Sequence, residues 1–89
     1  MDKLDALRKK IDVLDERLLE LIRERLGVVT EIGTVKKGLG LKPLDATRWN
    51  VVLEKGLKRA DTLGIRREFV KKILDTIHEE ALQIENNIK

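Results

Sequence analysis

The 89 residues are enough for one small domain (1–89), near the lower limit for a chain that folds alone, which favours association between copies. The lack of cysteine excludes disulfide bonds and thiolate metal sites, and 39% charged with 2% aromatic residues is typical of an all-helical cytoplasmic protein. The net charge of +3 is mild and the basic residues are interleaved with acidic ones, so the sequence does not predict a nucleic-acid surface. No apolar run is long enough to cross a membrane.

The first predicted element is one long helix from Leu4 to Lys36, about 50 Å in length. Apolar residues recur along it at spacings of three and four and form a heptad seam: Leu4, Leu7, Ile11, Leu14, Leu18, Leu21, Val28, Ile32 and Val35. A compact domain of this size is only about 30 Å across. The helix therefore extends beyond any globule of its own chain, and we expect an intertwined homodimer in which a second copy covers the seam.

Basic residues on this helix are candidates for a site. Arg25 occupies a seam position, where either an anion meets it or its guanidinium reaches out to water beside the seam. Lys36 follows eleven residues later, close to three turns, so both long side chains can converge on one ligand. Arg8 lies off that face and fits better in a site built largely by a partner chain. Gly27 and Gly33 inside the helix indicate close packing there.

The rest of the chain is predicted to form a loop and two medium helices. Residues 38–44 hold two glycines and the only proline, and Gly38 suits a left-handed helix end. Asp45 caps a second helix that runs to about Thr62, where Leu63-Gly64-Ile65 has the pattern of a glycine C-cap. A third helix runs from about Arg67 to Asn86.

Several polar residues on these two helices are further site candidates. Arg48 lies one turn after Asp45, while His78 and Glu85 flank the apolar stripe of the third helix. Taken alone, His78 is explained more simply as a packed or partly exposed histidine, and Glu85 as a solvated charge. No Ser/His/Asp arrangement, glycine-rich phosphate loop or metal-spaced cluster occurs, so covalent and metal catalysis are not expected.

Together these residues resemble the all-helical chorismate mutase family over essentially the whole chain. The resemblance is carried by Ala6-Leu7-Arg8-Lys9-Lys10-Ile11-Asp12, Glu24-Arg25, Glu31-Ile32-Gly33 with Lys36, Asp45-x-x-Arg48, and Glu79-Glu80-Ala81 with Glu85. It implies an intertwined helical dimer with two equivalent sites that convert chorismate to prephenate, without a cofactor or a metal. This reaction belongs to aromatic amino-acid biosynthesis.

The resemblance also implies catalytic roles. Arg25, with Arg8 from the other subunit, would hold the substrate carboxylates. Lys36 would contact the ether oxygen and a carboxylate. Glu85 stands where the family carries Gln or Glu, the second donor to the ether oxygen.

Two further residues of the pattern would bind the substrate ring, and three positions depart from the pattern. Asp45 and Arg48 would frame the ring and its hydroxyl. Trp49 replaces a common glutamate that meets this hydroxyl, Ala81 replaces a serine that supports a carboxylate, and His78 replaces an aliphatic residue lining the ring. The pairs formed by Arg48 with Trp49 and by Ile77 with His78 resemble mutase domains fused to DAHP synthase, which opens the shikimate pathway.

Three alternative functions stay open at this point. The same fold and a similar cationic pocket are found in isochorismate pyruvate lyase. Trp49 and Ala81 also fit a helical interaction or regulatory domain without activity. A nucleic-acid-binding helical dimer is the third, and it would show steeply salt-dependent binding to duplexes.

Overall fold

The computed structural model describes residues 2–89, which form three α-helices: α1 (Asp2–Gly38), α2 (Ala46–Leu63) and α3 (Arg67–Asn86). No strand occurs in residues 2–89, and none of their helices is long and apolar enough to cross a membrane. The predicted all-α class and the order of one long and two medium helices are confirmed. Each helix begins and ends within two residues of its predicted bounds.

Local capping interactions set the ends of α2 as predicted. The Asp45 side chain accepts a hydrogen bond of 3.0 Å from the backbone N–H of Arg48, which satisfies a helix donor that otherwise lacks a partner. At the other end Gly64 has φ +71°, and the N–H of Ile65 donates to the carbonyl of Ala60 at 2.9 Å.

The end of α1 differs from the prediction. The left-handed glycine there is Gly40, with φ +71°, whereas Gly38 is still helical, so the prediction for Gly38 was wrong. The N–H of Leu41 donates to the carbonyl of Lys36 at 2.8 Å, which closes the turn two residues later than expected.

Helix α3 holds the chain together because it packs against both α1 and α2, whereas α1 and α2 make no direct helix–helix packing. The buried apolar residues are few in residues 2–89: Val29 on α1, Ala60 on α2 and Ala81 on α3. Gly33 allows the close approach of α1 and α3, since a Cβ there would lie 3.0 Å from Glu85 Cγ and overlap the Ile88 side chain. The close packing expected at Gly33 is confirmed, whereas the surroundings of Gly27 in this chain are open.

The apolar seam of α1 is left uncovered by its own chain. All nine seam residues are 45–62% exposed, because α1 turns a neighbouring stripe, which includes Ile22, Val29 and Gly33, towards α3. The molecule measures 57 × 28 × 15 Å, so its long axis greatly exceeds the width of a compact domain of this size. A single chain therefore exposes a long apolar surface of the kind that marks an interaction site.

Candidate active site

All three helices and the loop between α1 and α2 contribute to one open cavity of about 250 Å³. Its lining residues are Arg25, Val29, Ile32, Lys36, Pro43, Asp45, Arg48, Trp49, Val52, His78, Ala81 and Glu85. Six of the seven site residues predicted from the sequence line this cavity: Arg25, Lys36, Asp45, Arg48, Ala81 and Glu85. The structure thus brings together residues that lie up to 60 positions apart in the sequence (85 − 25 = 60).

An ion pair between Lys36 and Glu85 lies at the wall formed by α1 and α3. Lys36 Nζ is 2.9 Å from Glu85 Oε1, and the two side chains are only 21% and 8% exposed. The same ammonium donates a hydrogen bond of 2.6 Å to the carbonyl oxygen of Pro43. Glu85 Oε1 is buried and makes no well-oriented hydrogen bond in residues 2–89, so its contact with Lys36 is one of charge and the oxygen retains bonding capacity.

The close approach of α1 and α3 explains why this ion pair forms. Gly33 lies one turn before Lys36 and has no side chain to hold α3 away. Beyond the end of α3, Lys37 Nζ donates to the carbonyl oxygen of Ile88 at 2.9 Å. Together these contacts fix the last turn of α3, and with it Glu85, against α1.

The other cationic groups of the cavity are two exposed arginines. Arg25 comes from α1 and Arg48 from the first turn of α2, and neither guanidinium forms a salt bridge within residues 2–89. Both remain available for a ligand, and a guanidinium can bind a carboxylate through two parallel hydrogen bonds. With Lys36 they give three cations against the two acids Asp45 and Glu85, an arrangement suited to an anionic ligand.

An aromatic pair forms the wall between α2 and α3. The rings of Trp49 and His78 stack with centroids 3.9 Å apart and an angle of 8° between their planes, and both residues are half-buried. Sequence reasoning had explained His78 more simply as a packed or partly exposed histidine and had not paired it with Trp49. The two residues lie 29 positions apart (78 − 49 = 29) on two different helices, so no local spacing could have indicated the stack.

Arg8 is the one predicted site residue outside the cavity. It lies near the start of α1 with its side chain 69% exposed, and its nearest acid is Asp5, at 3.9 Å. This position agrees with the expectation that Arg8 serves a site other than that of its own chain, and it leaves the role of Arg8 a prediction. Within residues 2–89 no three acidic or histidine side chains gather in a way that could hold a metal ion.

The chain is similar to a known protein family and to several curated proteins. Residues 7–86 match the family model described as chorismate mutase type II. The chain is 34% identical over 85 residues to a T-protein of Enterobacter agglomerans, covering 96% of this chain and 23% of that protein. It is 32% identical to a 4-amino-4-deoxychorismate mutase of Streptomyces pristinaespiralis, with 96% and 66% covered. It is 29% identical to a chorismate mutase of Methanocaldococcus jannaschii, with 93% and 86% covered.

These relatives differ greatly in length. The chain spans about a quarter of the T-protein, since 23% of that protein is matched, and a T-protein of Haemophilus influenzae gives the same share. The matched region therefore also occurs inside longer polypeptides.

Proposed function

The chain belongs to the chorismate mutase type II family, and we propose that it isomerises chorismate to prephenate. The observation that supports this most directly is the cavity that gathers the three cations Arg25, Lys36 and Arg48, with Lys36 in a half-buried ion pair with Glu85. In this rearrangement the ether C–O bond breaks while a new C–C bond forms in the same molecule. Atoms and electrons balance within the substrate, so the reaction requires no nucleophile and no co-reactant.

The first task of the site is to hold a flexible dianion in a reactive, chair-like shape. Arg25 and Arg48 have no acid partner within residues 2–89 and can each grip a carboxylate. The site thus holds the reacting carbons close together, so the substrate does not have to find this conformation by itself. In well-oriented intramolecular reactions such positioning lowers the activation free energy by about 7–11 kcal/mol. We propose that Arg8 of a second subunit also binds a substrate carboxylate.

The second task is to stabilise the negative charge that grows on the ether oxygen as the C–O bond breaks. Lys36 Nζ and Glu85 Oε1 lie 2.9 Å apart, so one ligand atom can contact both side chains. Lys36 donates as an ammonium. Glu85 can donate only in its protonated form, because a carboxylate would repel the growing charge.

A homodimer is the form in which we propose the protein acts. The seam of α1 exposes nine apolar residues, and residues 2–21 of this helix are all exposed. A second copy can cover this seam and bring its Arg8 to the cavity. We further propose fusion to, or association with, a second enzyme of the same pathway, DAHP synthase, as the pairs Arg48-Trp49 and Ile77-His78 suggest.

A second candidate substrate is 4-amino-4-deoxychorismate. It is favoured by the similarity to a mutase named for that compound. The two substrates share both carboxylates and the ether oxygen and differ in one ring substituent, a hydroxyl or an amino group.

The test is to incubate the purified chain with chorismate, follow its loss by absorbance and identify the product. Prephenate is expected. Release of pyruvate from isochorismate would instead support the lyase, and failure to bind or consume chorismate would support a non-catalytic domain. Arg25→Ala is expected to lower kcat/KM by at least about a hundredfold, whereas the matched control Arg23→Ala, on the other side of α1 and outside the cavity, should leave it unchanged.

A further inference from the structure

We propose that His78, held flat against Trp49, is the residue that recognises the ring substituent of the substrate and sets the preference between a hydroxyl and an amino group. This inference rests on the proposed function, since it assigns a specificity determinant within the same cavity. It begins from the stack itself. A centroid distance of 3.9 Å and an angle of 8° fix the plane of the imidazole, so its ring nitrogens have defined directions.

The ring nitrogens of His78 are free to bind a ligand. Within residues 2–89 neither nitrogen makes a hydrogen bond, although the residue is half-buried and lines the cavity. A half-buried polar group without a partner is costly unless a ligand or water satisfies it. Trp49 Nε1 is also without a partner, but an indole N–H only donates and cannot accept from a hydroxyl or an ammonium.

The other polar groups of the cavity already have partners or are needed for the carboxylates. Asp45 accepts from the Arg48 backbone, Lys36 bonds to Pro43 and faces Glu85, and Arg25 and Arg48 are cations suited to the substrate carboxylates. Asp45 keeps an open carboxylate oxygen but is exposed, so beyond the Lys36–Glu85 pair His78 is the half-buried side chain of the lining that can still accept a hydrogen bond.

The two ring substituents need different hydrogen-bond partners. A hydroxyl both donates and accepts, so it can bond to a ring N–H or to a ring nitrogen that accepts. A protonated amino group only donates, so it can bond only to a ring nitrogen that accepts. The imidazole therefore treats the two substituents differently, whereas an apolar side chain at this position would offer a bond to neither.

The other charged groups around the cavity are Arg25 and Lys36 on α1, Asp45 and Arg48 on α2, and Glu85 on α3. Arg25, Arg48 and Lys36 are assigned to the carboxylates and the ether oxygen, which the two substrates share. The charges of all five groups also act on an ammonium substituent. The contribution of His78 is therefore obtained from the change in the ratio of the two kcat/KM values when His78 alone is replaced.

The experiment measures kcat/KM for chorismate and for 4-amino-4-deoxychorismate with the full chain at one pH. In His78→Leu the ratio of the two values should change by about tenfold or more, through KM rather than kcat, because neither substituent then has its hydrogen-bond partner. In His78→Gln the ratio should stay within about threefold of that of the unaltered protein, because an amide restores a hydrogen bond.

Two outcomes overturn the specificity role while leaving the proposed function intact: an unchanged ratio in a folded His78→Leu, or a ratio in His78→Gln that changes as much as in His78→Leu. If His78→Leu does not fold, the ratio is measured in His78→Ala instead. Trp49→Phe keeps a stacking ring and should keep the ratio within about threefold, so a change of about tenfold in a folded Trp49→Phe also contradicts the proposal. An unaltered protein that converts neither substrate overturns the proposed function, and the specificity role with it.

Discussion

Lys36 Nζ and Glu85 Oε1 lie 2.9 Å apart across the junction of the first and last helices, in the most buried polar contact of the cavity. Glu85 Oε1 has no well-oriented hydrogen bond in residues 2–89, and Lys36 also bonds to the Pro43 carbonyl. The Pro43 carbonyl therefore holds the Lys36 ammonium in place, whereas Glu85 Oε1 still lacks a hydrogen-bond partner. This is the arrangement expected of groups whose remaining partner is a ligand.

Replacing Glu85 by glutamine should preserve activity. A glutamine amide has nearly the shape of the carboxyl group and can donate a hydrogen bond to the ether oxygen. We therefore expect kcat of Glu85→Gln to stay within about tenfold of the unaltered protein, whereas Glu85→Ala should lose about 10²–10³-fold in kcat. A loss in Glu85→Gln as large as that in Glu85→Ala would show that a donor at this position is not what the reaction requires.

Gly33→Ala should lower both stability and activity. The added Cβ would lie 3.0 Å from Glu85 Cγ and overlap the Ile88 side chain, so α3 must shift outward. We expect this overpacking to lower the free energy of unfolding by about 1–3 kcal/mol. The higher helix propensity of alanine offsets part of this loss. The matched control is Gly27→Ala, whose Cβ meets nothing within 4 Å in the chain and should stabilise the helix. Equal effects of the two substitutions in thermal or denaturant unfolding would contradict the packing described at Gly33.

Much of this fold could be predicted because its determinants are local. Helical periodicity, the Asp45 cap and the Gly64 cap each depend on residues within a few positions of one another, and all three are present as expected. The choice of face on α1 could not be predicted in the same way. Val28 and Val29 belong to two apolar stripes about 100° apart on α1. The sequence does not indicate that α3 covers the stripe of Val29 and leaves the seam, with Val28, exposed.

For a related reason, only part of the candidate site could be predicted from the sequence. Residues with a recognisable order along the chain, such as Arg25, Lys36 and Glu85, were assigned to one site and do line one cavity. The Trp49–His78 stack depends on the rotation of α2 relative to α3, which the packing of Gly56 against Leu74 helps to set and which no local pattern encodes.

The unaltered chain should sediment as a dimer. Its seam residues are 45–62% exposed in one chain, and burying them between two copies is favourable by roughly 25 cal/mol per Å² of apolar surface. A flexible loop inserted near Leu21 should let the long helix fold back on its own seam and favour monomers. Glu16→Lys, off the seam, is the control and should remain dimeric. A monodisperse monomer of the unaltered chain at micromolar concentration would rule out the intertwined dimer.

Hybrid dimers offer the sharpest test of the role of Arg8. Its side chain is 69% exposed and lies outside its own chain's cavity, so we expect it to act on the site of the other subunit. Arg8→Ala and Arg25→Ala should each be nearly inactive alone. In a hybrid of the two, one site combines the Arg25 of one subunit with the Arg8 of the other and is intact, while its second site lacks both.

Random exchange between these two variants should therefore restore about a quarter of the unaltered activity, because half of the dimers are hybrids with one working site in two. The matched control mixes Arg8→Ala with a chain that carries both substitutions. No hybrid there has an intact site, and no activity should return. If exchange is demonstrated, for example by mass-labelled subunits, and the first mixture stays inactive, Arg8 does not act across the interface. Activity in the control mixture would instead show that Arg8 is dispensable, since no subunit in it supplies that side chain.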